Sequence, residues 1–280
     1  MNAKSPPAVA ARIGGHAYRF LCVASRAGRV VSGFSSGVNL LFGEGSSRTL
    51  LALQGPALAL HPWAIEVDLS AWPLTGTAVT SNSKTLRCIG FVEIDLTCAE
   101  VDALRIEPYA QHAVPCALDR LAGIRWTTEP TNALFAPIDA VLDTWRTSGH
   151  IDDLASLIGL GPGSTPAGDD VLVGILAGLA AVGRSSVGLT QGELRPVLGE
   201  RFKFETPLGS EQMLRAALEG SFPEPLVWFV SHLASESAAG SLQDAAERLE
   251  RLGATSGRAM AAGLRAAFAA LSRRHDARDA

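Results

Sequence analysis

One stretch restricts this chain more than any other: GLGPGSTPAGDDVLVGILAGL, residues 159–179. From Val171 to Val182 no residue is charged, and apolar side chains fall on every side of a 3.6-residue helix. Such a helix is stable in water only at the centre of a domain, packed all round. Gly174 and Gly178 stand four apart on one face, where a second helix backbone is expected to approach closely. Gly159 and Gly161 end the amphipathic stretch before it. Thr165 as N-cap and Pro166 as first helical residue predict a helix from Pro166 to about Ala181.

Asp169 and Asp170 fall in the first two turns of that helix, about 100° apart around its axis. The helix dipole favours a carboxylate there by ~0.3–1 kcal/mol, whereas burying an unpaired one costs several kcal/mol. Each aspartate therefore needs a partner. Either both cap neighbouring loops, or Asp169 or Asp170 contacts a ligand or a cation. The preceding Gly161, Pro162, Gly163, Ser164 and Thr165 offer backbone N–H groups and two hydroxyls to an anion. No lysine follows in the phosphate-loop pattern.

Two later segments repeat this chemistry. ETPLGSEQMLRAALEG (205–220) opens on Thr206-Pro207, then Ser210, then an amphipathic run with Arg215. GATSGRAMAAG (253–263) shares with the central motif a glycine pair six apart, Gly257 and Gly263 matching Gly168 and Gly174, with hydroxyl residues ahead. Arg258 and Ala259 stand where the first copy has its aspartates. Three helix N-termini are thus expected at one site rich in N–H and hydroxyl donors, unless the likeness is only that of Gly/Ala-rich helix starts. Such a site suits a small polyanion.

The texture of the chain changes near residue 125. Before it, YRFLCVA, RVVSGFSSGVNLLF, TLLALQ, AIEVDL and GTAVTSNSKTLRCIGFVEIDL read as short strands separated by Gly, Pro, Ser and Asn. After it, APIDAVLDTWRTSG places apolar residues at 138, 141, 142 and 145, one helix face, and Ala- and Leu-rich amphipathic stretches follow. The expected class is α+β. An N-terminal antiparallel sheet or barrel-like part, residues 1–128, precedes a mainly helical part, 129–280, built around the buried central helix.

The GPGSTPAGDD region resembles a bacterial family long labelled a domain of unknown function and linked to the small subunit of oxamate carbamoyltransferase, in anaerobic allantoin breakdown. Gly159, Gly161, Pro162, Gly163, Thr165, Pro166, Gly168, Asp169, Asp170, Leu172, Val173 and Gly174 match its pattern. Ser164, Ala167 and Val171 depart from it, as does Ala259, where relatives carry an aspartate. FSSGVNLLF (34–42), the Thr-Pro segment at 206 and GATSG extend the likeness. The resemblance implies a transferase subunit, acting with companion subunits, that moves a carbamoyl group between phosphate and oxamate. Asp169 and Asp170 would be its catalytic residues, orienting an amide or anchoring Mg²⁺. Gly161, Gly163, Ser164, Thr165, Gly168, Thr206, Arg215 and Ser256 would hold the small anionic substrate, with Lys203 or Arg258 as further sources of positive charge. The alternatives are a non-catalytic ligand-binding or scaffold subunit, or a carboxylase-like protein.

Other function classes fit poorly. The net charge is −4, with no dominant basic patch for nucleic acid. Cys22, Cys88, Cys98 and Cys116 form no zinc-type spacing and read as reduced, mostly buried thiols. The six histidines show no HxH or HExxH pattern, and no serine lies in GxSxG. The N-terminal residues lack a signal-peptide core, and Val171 to Val182 is too short to span a bilayer; a cytoplasmic location is expected.

Overall fold

A computed structural model describes residues 7–108, 113–127, 132–148, 150–183, 194, 196, 198, 205–234 and 239–279. The chain divides into two compact units, Met1–Leu104 and Arg105–Ala280.

The first unit is a β-barrel with one helix. Its strands are β1 (Ala8–Gly14), β2 (Arg26–Phe34), β3 (Gly37–Phe42), β4 (Thr49–Gln54), β5 (Ala64–Val67), β6 (Ala78–Ser81), β7 (Thr85–Cys88), β8 (Val92–Asp95) and β9 (Glu100–Asp102). They lie in the order β5-β4-β3-β2-β6-β7-β8-β1-β9, and β5 also pairs with β1. That last pairing closes eight strands into a ring and leaves no open sheet edge among them. β1 meets β8 through Ala8 and Val9, then β9 through Arg12 to Gly14, so β9 continues the line of β8. Most pairings are antiparallel, as expected, but β4–β5, β1–β8 and β1–β9 run parallel. Alternation decides the faces: Val79 and Ser81 of β6 and Leu86 and Cys88 of β7 are buried, while their neighbours point out. Leu40, Phe42, Leu51, Leu53, Ile13 and Ile65 belong to the barrel core.

YRFLCVA, read from sequence as a strand, is instead part of helix α1 (Gly15–Val23). Its buried residues, His16, Ala17 and Leu21, fall on one helical face, a spacing that the apolar run masks. FSSGVNLLF contains the β2–β3 hairpin turn, and Asn39 of β3 donates to Ser32 of β2 at 2.9 Å. All four cysteines are free thiols, as expected, but only Cys88 is buried. Cys22 is half-buried and Cys98 and Cys116 are exposed, so three of the four are not core residues.

The second unit is helical: α2 (Val114–Ala122), α3 (Asn132–Ser148), α4 (Ile151–Leu154), α5 (Ala167–Val182), α6 (Leu208–Leu218), α7 (Glu224–Ala234), α8 (Ala239–Glu250) and α9 (Ser256–Asp279). Its first helix thus begins at Val114, ahead of the change of texture read near residue 125. α3 buries Ile138, Leu142 and Trp145 along the face the sequence marks. α5 is the central helix. Asp169 through Leu179 are all buried, and each apolar side chain there contributes roughly 1.5–3 kcal/mol by leaving water. α9 is its main neighbour. A Cβ on Gly174 would lie 1.9 Å from the Met260 carbonyl oxygen, and one on Gly263 would lie 1.9 Å from that of Val171. The two backbones touch where the small residues permit it, as Gly174 and Gly178 foretell.

Candidate functional site: three helix starts around two carboxylates

Both Thr-Pro pairs sit one position off the expected capping geometry. Pro166, not Thr165, is the N-cap of α5, and Pro207 is the N-cap of α6, with neither helix capped by a side chain. The reason lies in the carboxylates. Thr206 Oγ1 donates a short hydrogen bond to Asp169 Oδ2 instead of capping its own helix. Ser210 Oγ donates to the same oxygen at 2.6 Å. The Gly159 N–H donates to Asp169 Oδ1 at 2.8 Å. Gly159 has φ 69°, and a Cβ there would lie 2.0 Å from the Glu205 carbonyl oxygen, so only glycine brings this N–H to the aspartate. Asp169 is 1% exposed and joins the loop before α5 to the start of α6.

Asp170 is 4% exposed and faces the third helix start. The Ser256 hydroxyl, first residue of α9, hydrogen-bonds its carboxyl. Ser256 Oγ in turn lies 3.4 Å from Thr165 Oγ1, at the long limit for a hydrogen bond. Asp170 Oδ2 is buried with no hydrogen-bond partner among the described residues. The N-termini of α5, α6 and α9 therefore do converge, and the anions they hold are the chain's own.

No Lys, Arg or His forms an ion pair with either aspartate among the described residues. Burial raises the Asp169 carboxyl above its ordinary value, outweighing the bonds from Ser210, Thr206 and Gly159. Burial pushes Asp170 up to about 7; the Ser256 bond opposes this and the neighbouring Asp169 charge adds to it. A Mg²⁺ ion fits this pair badly. Three hydrogen-bond donors engage both oxygens of Asp169, and the described residues contain no group of three or more His, Cys, Asp or Glu able to hold a metal.

The remaining sequence-derived residues divide in two. Gly161, Gly163, Ser164 and Thr165 form an exposed loop beside the pair, and none of their backbone N–H groups donates to another described residue. Gly168 N–H donates to the Leu160 carbonyl at 2.8 Å, folding that loop back on α5. Arg215 stands apart: its Nε donates to Glu211 Oε1 at 2.9 Å on the same helix. Arg258 lies 3.9 Å from Glu250 and stacks over Trp126 at 4.7 Å. Lys203 lies outside the described residues. Ser210 belongs to the cluster without being marked for it in ETPLGSEQ, because nothing in the sequence shows that a serine at that helix position faces another helix.

A buried acid pair held by hydroxyls at three helix starts defines a class of domain rather than a reaction. Residues 157–268, which contain every group of this cluster, match the family model described as oxamate carbamoyltransferase subunit AllH. Over this segment, two fifths of the chain, the match bears out the family resemblance of the GPGSTPAGDD loop. No curated protein and no solved structure matches the chain. No helix among the described residues is long and apolar enough to cross a membrane.

Proposed function

We propose that this chain is a subunit of a carbamoyl-transferring enzyme of the oxamate type, working with companion subunits. Asp169 is a positioning residue and Asp170 the proton-handling one. The observation that carries this reading is the asymmetry between two adjacent buried carboxyls. Asp169 is completed by three donors of its own chain, whereas Asp170 keeps one oxygen without a partner, and burial pushes it up to about 7.

In this reading the exposed N–H groups of Gly161, Gly163, Ser164 and Thr165, with the Ser164 hydroxyl, hold the anionic oxygens of the substrate. Asp169 fixes that loop by tying Gly159 to α6. Transfer of a carbamoyl group from phosphate to an amide nitrogen forms a C–N bond and breaks a C–O bond, and the amide must lose a proton. The Thr165 and Ser256 hydroxyls lead from the loop to Asp170, whose carboxylate takes that proton and returns it to solvent. A carboxyl titrating near 7 is matched to this task at neutral pH.

The test is Asp170→Asn, assayed together with the companion subunits for carbamoyl transfer from carbamoyl phosphate to oxamate. The expected result is a fall in kcat of about 100-fold or more, KM nearly unchanged, and loss of the pH limb near 7. An unchanged rate and pH profile would instead assign Asp170 to the framework and the chain to a scaffold role.

A further inference from the structure

Helix α9 has a second face that the acid cluster does not use. At about 100° per residue, Met260, Gly263, Leu264 and Ala267 lie on one side, the side that meets α5 at Gly174, Gly178 and Val171. Arg258, Ala262, Arg265 and Ala269 lie on the opposite side. They line a cleft of about 490 Å³, within the size range of small-molecule sites. Leu118 and Asp119 of α2, Trp126, and Asp139, Leu142 and Arg146 of α3 complete its wall. A helix face with alanines at its centre leaves space where larger side chains would fill it.

The charges in this space are mixed. Three guanidinium groups, Arg146, Arg258 and Arg265, come from two helices, and two carboxylates, Asp119 and Asp139, come from α2 and α3. Arg258 lies over the Trp126 ring at 4.7 Å, with Glu250 3.9 Å away. Arg146 is braced by a bond from Nε to the Leu142 carbonyl at 3.2 Å and by Asp143. Their planar donors suit a carboxylate or phosphate, the aspartates suit an N–H donor, and the alanines and leucines suit an apolar body.

We propose that this cleft is a second ligand site, separate from the Asp169–Asp170 cluster, for a small organic molecule that carries both an anionic group and an amine or amide. This assignment is independent of the carbamoyl-transfer reading.

Isothermal titration of the full chain with 4-aminophenyl phosphate, 4-aminobenzoate and aniline tests it. The first two share a body and differ in the anion, and the third lacks one. The expected result is one-to-one binding of at least one anion with a dissociation constant below about 1 mM, and none with aniline. Arg265→Ala and Arg146→Ala should each weaken binding about tenfold, and Ala262→Phe, which fills the cleft, should abolish it. Binding of only one anion supports the site and says whether phosphate or carboxylate is read. No saturation by either anion, equal binding of aniline, or affinities unchanged in all three variants would overturn it.

Discussion

The two units bury acidic side chains in opposite ways. In the barrel, Glu66 is 8% exposed and has the Arg12 guanidinium 3.7 Å away, and the same arginine donates to Asp102 at 2.9 Å. In the helical unit, Asp169 and Asp170 are buried more deeply, with hydroxyls and one backbone N–H as their recorded partners. A cation compensates a carboxylate's charge; a neutral donor satisfies its lone pairs and leaves the charge in place. The first arrangement stabilises an ionised acid. The second holds an acid whose proton is worth keeping, and Asp170, with only part of its hydrogen bonding met, keeps it longest.

This contrast breaks most visibly at Asp169. Asp169→Ala strands the Gly159 N–H, the buried Ser210 hydroxyl and the half-buried Thr206 hydroxyl at once, and a loss of about 4 kcal/mol in urea-unfolding free energy is expected. A loss under about 1 kcal/mol would mean that the three helix starts are held by packing alone.

Asp170→Asn should act in the opposite direction. The unfolded chain releases this proton near 3.8, while the folded chain holds it to about 7. The folded state therefore binds more protons between those values, and stability falls as pH rises through that window, then stays low. The asparagine variant lacks the ionisation, so it should match the wild type at pH 4 and exceed it by roughly 4 kcal/mol at pH 8. Parallel stability curves would contradict a carboxyl held by neutral donors.

The barrel's arrangement gives the smallest effect. Arg12→Ala removes the cation shared by Glu66 and Asp102, and a loss of about 2 kcal/mol is expected, because this guanidinium no longer compensates the buried Glu66. In a Glu66→Gln background the loss should shrink. An undiminished loss in that background would show that the arginine acts through packing instead.

Much of this was legible in the residues. The uncharged run after Asp170 marks the central helix, and Gly174 with Gly178 marks the face that α9 reaches. The likeness of STPAGDD, ETPLGS and GATSG marks the three helix starts that meet. What the residues withheld was the direction of the hydroxyls. Thr165 and Thr206 read as caps for their own helices, yet Thr206 donates to Asp169 and Thr165 lies near Ser256. A local motif names a donor without naming the acceptor, which in this case is 37 residues away in the chain. The closing β5–β1 pairing was hidden for a similar reason: β5 reads only as a short apolar run, and its partner precedes it by some fifty residues. Arg215 is a case the sequence leaves open: a positive charge near a candidate anion site invites assignment to it, and its pairing with Glu211, one turn earlier, shows only on folding.

The most direct test is a ¹³C NMR titration of the aspartate side-chain carboxyls, with Asp170 assigned through Asp170→Asn. A midpoint near 7 for Asp170 is the predicted result. A midpoint near the ordinary 3.8 would show that an undescribed cation or open water compensates its charge, and would remove the physical basis for giving this residue the proton.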